Sequence, residues 1–231
     1  MGHILSRQRQ ADIRKLLGIL GATFILGAMF IGCDNGVVPP DPEIPDEIHG
    51  AIWPLDVGNE WTFDVQSWDD SIADWIYYGE RYIVDTAFMH NEKRVAKIRL
   101  EYFFGDTVFQ EFSLWWGNTH TGLYEYAPFG DGFVPYAESR MLFKYPAIDG
   151  ELFSSYAPNP VNPVSMGFMA EMPPIEVPAG NFENCVGYQY YEPPGENIYY
   201  YFVPDTGYIQ MERYIGSTLN KARFLNSYVQ N

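Results

Sequence analysis

Between residues 61 and 66 the chain alternates strictly: Trp61, Phe63 and Val65 are apolar, while Thr62, Asp64 and Gln66 are polar. A period of two puts successive side chains on opposite sides of an extended backbone, so the pattern demands a strand with one buried face. Short runs of the same kind recur to the C-terminus. Residues 80–88 and 93–104 read as strands joined by a turn at His90-Asn91-Glu92. In 107–116, Val108, Phe112, Leu114 and Trp116 share one face and Thr107, Glu111 and Ser113 the other. Gly117-Asn118 starts a turn, and 121–127 returns to make a hairpin. Further strands are expected at 139–145, 165–177, 182–192, 197–203, 207–215 and 222–229. A Gly/Pro-rich loop spans 127–137, and the breakers throughout 146–163 make that stretch irregular. One short helix is expected over 69–78, where Asp69 precedes Ile72, Trp75 and Ile76 at spacings of three and four.

Composition supports the same fold class. Aromatics reach 17%, and 17 Pro and 21 Gly punctuate a chain of 231 residues in which only 19% are charged. Connections are too short for helical crossovers, so the strands must be mainly antiparallel. The expectation is a single all-β domain over 51–231, with roughly ten strands forming a curved sheet, a barrel or a half-barrel. Adjacent aromatics refine it. In Trp115-Trp116, Tyr190-Tyr191 and Tyr199-Tyr200-Tyr201, neighbouring rings must point to opposite faces. A closed sheet buries only one of those faces. Some rings therefore lie at the surface, under a loop, or in a groove that can take glycans or apolar chains. Trp61, Trp115, Trp116, Tyr188, Tyr190 and Tyr200 are the candidate ligand-lining aromatics.

The N-terminus has a separate logic. Arg7, Arg9, Arg14 and Lys15 precede an uncharged run from Leu16 to Gly32, the layout of a secretory signal peptide over 1–32. Phe30-Ile31-Gly32-Cys33 resembles a bacterial lipobox. That resemblance implies cleavage at the Gly32–Cys33 junction and acylation of the Cys33 thiol. Residues 33–50 follow as an acidic, Pro-rich tether, in which Pro39, Pro40, Pro42 and Pro45 favour extended geometry. Removal of 1–32 leaves 10 basic and 29 acidic residues, a net charge of −19. Such a body cannot neutralise phosphates, so nucleic acid is excluded as a partner. Anionic head groups repel it as well, and membrane association falls to the acyl chains.

The C-terminal third carries a resemblance. Residues 176–185, EVPAGNFENC, are similar to a V-P-A-G-x-F-x-N-C segment in a group of uncharacterised bacterial lipoproteins. The stretch NIYYYFVPDTGYIQME from Asn197 resembles the strand–turn–strand that follows there, with Asp205 in place of the usual Gly and Tyr208 in place of Leu. Trp53-Pro54-Leu55-Asp56-Val57-Gly58-Asn59-Glu60-Trp61 resembles their P-L-x-x-G-N-x-W opening. The resemblance implies a curved antiparallel sheet, wrapped in some related envelope proteins around an apolar cavity, and it brings no assigned activity. In folding terms, 178–180 and 204–207 read as tight turns, with Gly180 free to take positive φ.

Chemistry is sparse. His49, His90 and His120 have no neighbouring ligand at metal spacing, and no nucleophile elbow, Ser-x-x-Lys pair or phosphate loop occurs. Cys185 lacks a nearby cation to activate it. No catalytic residue, metal or cofactor is expected. The sequence is therefore read as a lipid-anchored envelope protein that binds or scaffolds, with an envelope protein, a glycan or an apolar ligand as partner. A glycan hydrolase with paired carboxylates and a purely structural subunit of a surface assembly are the alternatives.

Overall fold

The computed structural model describes residues 50–130, 132–157, 159–192 and 195–231. The signal segment, the Gly32–Cys33 junction and the tether up to His49 lie outside the described residues. The strands are β1 (Glu60–Asp69), β2 (Asp74–His90), β3 (Lys93–Phe104), β4 (Thr107–Thr119), β5 (Gly122–Glu125), β6 (Arg140–Lys144) and β7 (Leu152–Ser155). They continue with β8 (Val164–Met169), β9 (Ile175–Val177), β10 (Gly180–Phe182), β11 (Val186–Glu192), β12 (Glu196–Val203), β13 (Gly207–Ile215) and β14 (Thr218–Val229).

Twelve of these strands make one antiparallel sheet in the order β6-β5-β4-β3-β2-β1-β14-β13-β12-β11-β8-β7, and β9 and β10 pair separately. The edge strands β6 and β7 meet without a regular ladder. Tyr156 N–H donates to the Met141 carbonyl at 2.8 Å, and Ser155 Oγ donates to the Leu142 carbonyl at 2.6 Å. The sheet is thus a nearly closed barrel, the all-β class expected, and the approach of β6 to β7 screens edges that an open sheet would expose.

The alternation at 61–66 sorts as read. Trp61, Phe63 and Val65 are buried, and they face Tyr82, Glu80 and Tyr78 of β2. The turn at 90–92 is a two-residue loop, with Asn91 and Glu92 both at positive φ as a type I′ hairpin requires. Gly180 takes φ 141 in the β9–β10 hairpin.

Several expectations fail for local reasons. No helix covers 69–78; the chain turns there and β2 begins at Asp74. Asp69 Oδ1 accepts from Ser71 N at 2.8 Å and from Ser71 Oγ at 2.6 Å, an Asx turn that outcompetes a marginal helical stripe. Trp68 and Trp75 then pair across the two strands, edge to face at 5.8 Å. The strand expected over 165–177 stops at Met169 and resumes at Ile175, because Pro173 and Pro174 cannot donate to a ladder. The strand expected over 182–192 is likewise split, with Asn184 at φ 56 between β10 and β11. The stretch 146–163 is not wholly irregular, since Leu152–Ser155 pairs with β8. Val108 leaves the face of Phe112, Leu114 and Trp116. A register shift pairs it with Phe103, and it is exposed.

Residues 50–58 stopper one end of the barrel. Their backbone is tied down by Asp205 N to Ala51 O at 2.8 Å, Asn118 Nδ2 to Trp53 O at 2.8 Å and Gly58 N to Val84 O at 2.9 Å. The anchored segment drives the Trp53 indole inward. Its centroid lies 5.1 Å from Trp116, 5.4 Å from Trp61 and Tyr82, 5.6 Å from Tyr208 and 6.1 Å from Phe202. Gly207, at φ 104, sits under this ring. A Cβ there would lie 2.8 Å from Trp53 Cδ1, so glycine is needed for both its conformation and its size.

Candidate functional site

Strand lengths decide where the interior stays hollow. β2, β3 and β4 have 17, 12 and 13 residues, whereas β5, β6, β7 and β8 have only 4 to 6. One wall is therefore tall and the opposite wall short. The loops after β5 and β7 fold toward the gap and contribute Phe129, Tyr156, Ala157 and Pro160 to a cavity of about 420 Å³. This lies within the range of about 300–1,000 Å³ common for small-molecule pockets. Trp53 and Trp116 form part of the wall, together with Leu100, Leu114, Phe143, Phe202 and Met211. Tyr82, Tyr102, Tyr200 and Tyr208 add amphipathic rings. Burial pushes the Tyr102 and Tyr200 hydroxyls up to about 12, and Tyr82 and Tyr208 higher still, so all four remain neutral donors in the physiological range.

Two charged side chains line this cavity among the described residues, Arg223 from β14 and Glu125 from β5. Arg223 is carried inward by the register that sets it beside Val65 and Met211. Its Nη2 lies 2.6 Å from Glu80 Oε2, its Nη1 donates to the Tyr208 hydroxyl at 3.4 Å, and its guanidinium sits 5.5 Å from the Tyr208 ring centre and 5.9 Å from that of Tyr82. Burial is the largest single influence and works to lower the Arg223 value, but Glu80 together with Tyr82, Tyr208 and Tyr102 outweighs it and keeps the group protonated. Glu125 is 7% exposed and accepts from the Tyr136 hydroxyl at 3.1 Å. Desolvation raises its carboxyl, opposed by that bond and by Arg140. Among the described residues there is no cluster of ligating side chains that could hold a metal ion.

The six sequence candidates separate. Trp116 and Tyr200 line the cavity. Trp61, Tyr188 and Tyr190 are buried on the inner face but pack into the wall: Trp61 Nε1 donates to the Thr206 carbonyl at 2.8 Å, and Tyr188 OH donates to the Lys144 carbonyl at 2.8 Å. Trp115 is a correction. It pairs with Lys97 on the outer face, where the loop after β5 covers it with Tyr126, Ala127 and Phe133. That loop straddles the free edge of β4, with Phe129 against Phe112 inside at 4.3 Å and Phe133 against Trp115 outside at 4.7 Å. Opposite facing of adjacent rings holds here, as it does for buried Tyr190 and exposed Tyr191.

Sequence reasoning missed Trp53, Tyr82, Tyr102, Tyr208, Glu80, Glu125 and Arg223 as interior groups. A signal existed in two strands. Glu80 shares parity with Tyr82 and Val84, and Arg223 with Leu225, so each is a charge on an apolar face.

No protein-family model and no curated protein matches the sequence. Among solved structures, the fold is similar to a "putative exported protein with YmcC-like fold" from Bacteroides fragilis. The TM-score is 0.46 at 14% identity, over 78% of this chain and 100% of that one. It is also similar to a "putative lipoprotein" from Parabacteroides distasonis, with a TM-score of 0.43 at 15% identity, over 78% of this chain and 99% of the other.

Proposed function

We propose that this protein is a lipid-anchored binding module of the bacterial envelope, whose barrel holds a small, largely apolar ligand. The observation that carries the reading is the aromatic-lined cavity of about 420 Å³ inside the sheet. A fold selected only for rigidity would be expected to fill such a space with side chains. The lipobox resemblance at Phe30–Cys33 and the acidic tether support the anchor, which would hold the barrel beside a source of apolar molecules. The hydrolase alternative requires two facing carboxylates. Only Glu125 lines the cavity among the described residues, and Glu80 is engaged by Arg223 and Lys221.

The test is titration of the full chain with the neutral fluorophore N-phenyl-1-naphthylamine. Saturable binding with quenching of tryptophan emission is expected, since Trp53 and Trp116 border the site. Ala157→Trp places bulk at the cavity lining and should weaken binding at least tenfold. Absence of saturable binding, or binding indifferent to Ala157→Trp in a folded variant, would overturn the proposal.

A further inference from the structure

At one point inside the barrel two cations face a single carboxylate, a local arrangement that a purely apolar ligand leaves unanswered. Glu80 is fully buried and faces two cations, Arg223 at 2.6 Å and Lys221 Nζ at 3.7 Å. A second ion pair on this inner face is closed on itself: Arg213 donates to both oxygens of Glu196 at 2.9 and 3.0 Å. One carboxylate on β2 is thus shared between two cations of β14. Uncompensated positive charge in a low-dielectric interior is costly, and an incoming anion relieves that cost.

Arg223 is placed to meet such an anion. Its side chain is 13% exposed, it lines the cavity, and its Nε has no hydrogen-bond partner among the described residues. A guanidinium offers five N–H donors in a planar fork, and Glu80 and Tyr208 together occupy only part of that capacity. Glu125, the other charged lining residue, is engaged by the Tyr136 hydroxyl and by the field of Arg140. The remaining lining is mainly aromatic and aliphatic, suited to a hydrocarbon chain and not to a polyhydroxylated ligand.

We infer that the cavity selects a single-chain amphiphile with an anionic headgroup, the head seated on Arg223 and the chain against the aromatic wall. The inference rests on the proposed reading of the cavity as a site for an apolar ligand, and adds the polarity of one end of that ligand. The charge is notable in context: a chain with net charge −16 places a cationic centre inside its barrel.

The experiment is displacement of N-phenyl-1-naphthylamine from the full chain by laurate, dodecyl phosphate, dodecanol and dodecylamine at matched ionic strength. Laurate and dodecyl phosphate should displace the probe at least tenfold more effectively than dodecanol, and dodecylamine should be the weakest. A preference for laurate alone or for dodecyl phosphate alone supports the inference and identifies the head. In Arg223→Gln, with folding verified by near-ultraviolet circular dichroism and probe affinity measured afresh for the variant, the ratio of laurate to dodecanol displacement should drop to within about twofold. Equal displacement by laurate and dodecanol in the unmodified protein would overturn the inference while leaving the apolar site standing. Persistence of the full preference in Arg223→Gln would overturn it as well. Failure of the neutral probe to bind at all would instead defeat the underlying function.

Discussion

Trp53 joins the stopper to the cavity wall, and its replacement by alanine is the most informative single perturbation. The indole is 3% exposed and touches rings from β1, β2, β4, β12 and β13, so its removal opens a void between strands that cannot close on each other. Truncating a buried Trp to Ala costs about 3–5 kcal/mol where collapse is limited. Its Nε1 has no partner among the described residues, so no hydrogen bond is lost and the cost is one of packing. A value of about 4 kcal/mol is expected by this reasoning. For a domain of this size each kcal/mol moves the midpoint by about 2–4 °C, which predicts a fall of about 8–16 °C. Urea unfolding followed by near-ultraviolet circular dichroism, alongside a thermal scan, reads both quantities. A loss below about 1 kcal/mol would refute the claim that the indole is a keystone, because even partial cavity formation costs more than that.

Three further outcomes follow from the same geometry. Gly207→Ala should destabilise by about 2 kcal/mol or more in the same unfolding assay, from strain at positive φ together with the clash against Trp53. Glu125 is the pH probe. Its folded-state value is raised above 4.5, so the native state holds its proton longer than the unfolded chain and stability is lost as pH rises through that window. Glu125→Gln should therefore gain stability relative to the unmodified protein as pH is raised from about 4 to 7, and a difference that shrinks over that range would contradict the assignment. Finally, Cys33→Ala should abolish incorporation of labelled fatty acid and leave the precursor uncleaved, and normal labelling without that thiol would end the anchor proposal.

How much of this was legible in the sequence depended on whether a feature was local. Alternation at 61–66, the His90–Glu92 turn and the turns at 178–180 and 204–207 are set by neighbours in the chain, and each appears where its residues place it. The same local chemistry explains the absent helix, since the Asp69–Ser71 turn is as local as the spacing of Ile72, Trp75 and Ile76 and prevails over it. Opposite facing of Trp115 and Trp116 was also legible.

Which of the two faces inward was not. Period two divides a strand into two sets of side chains but does not label them, and Trp115 and Trp116 are equally apolar. The label comes from closure of β6 against β7 and from the loop after β5 crossing the edge of β4, events that join residues far apart in sequence. The meeting of Glu80 with Arg223 has the same origin, since strand register alone brings β2, β1 and β14 side by side. The sequence by itself determined an all-β set of mainly antiparallel strands, and its first 33 residues carry a resemblance to a lipoprotein signal. Only the tertiary structure decided that short strands facing tall ones leave a hollow, and that the hollow contains a buried guanidinium, because volume and charge pairing are properties of segments brought together and not of any one segment.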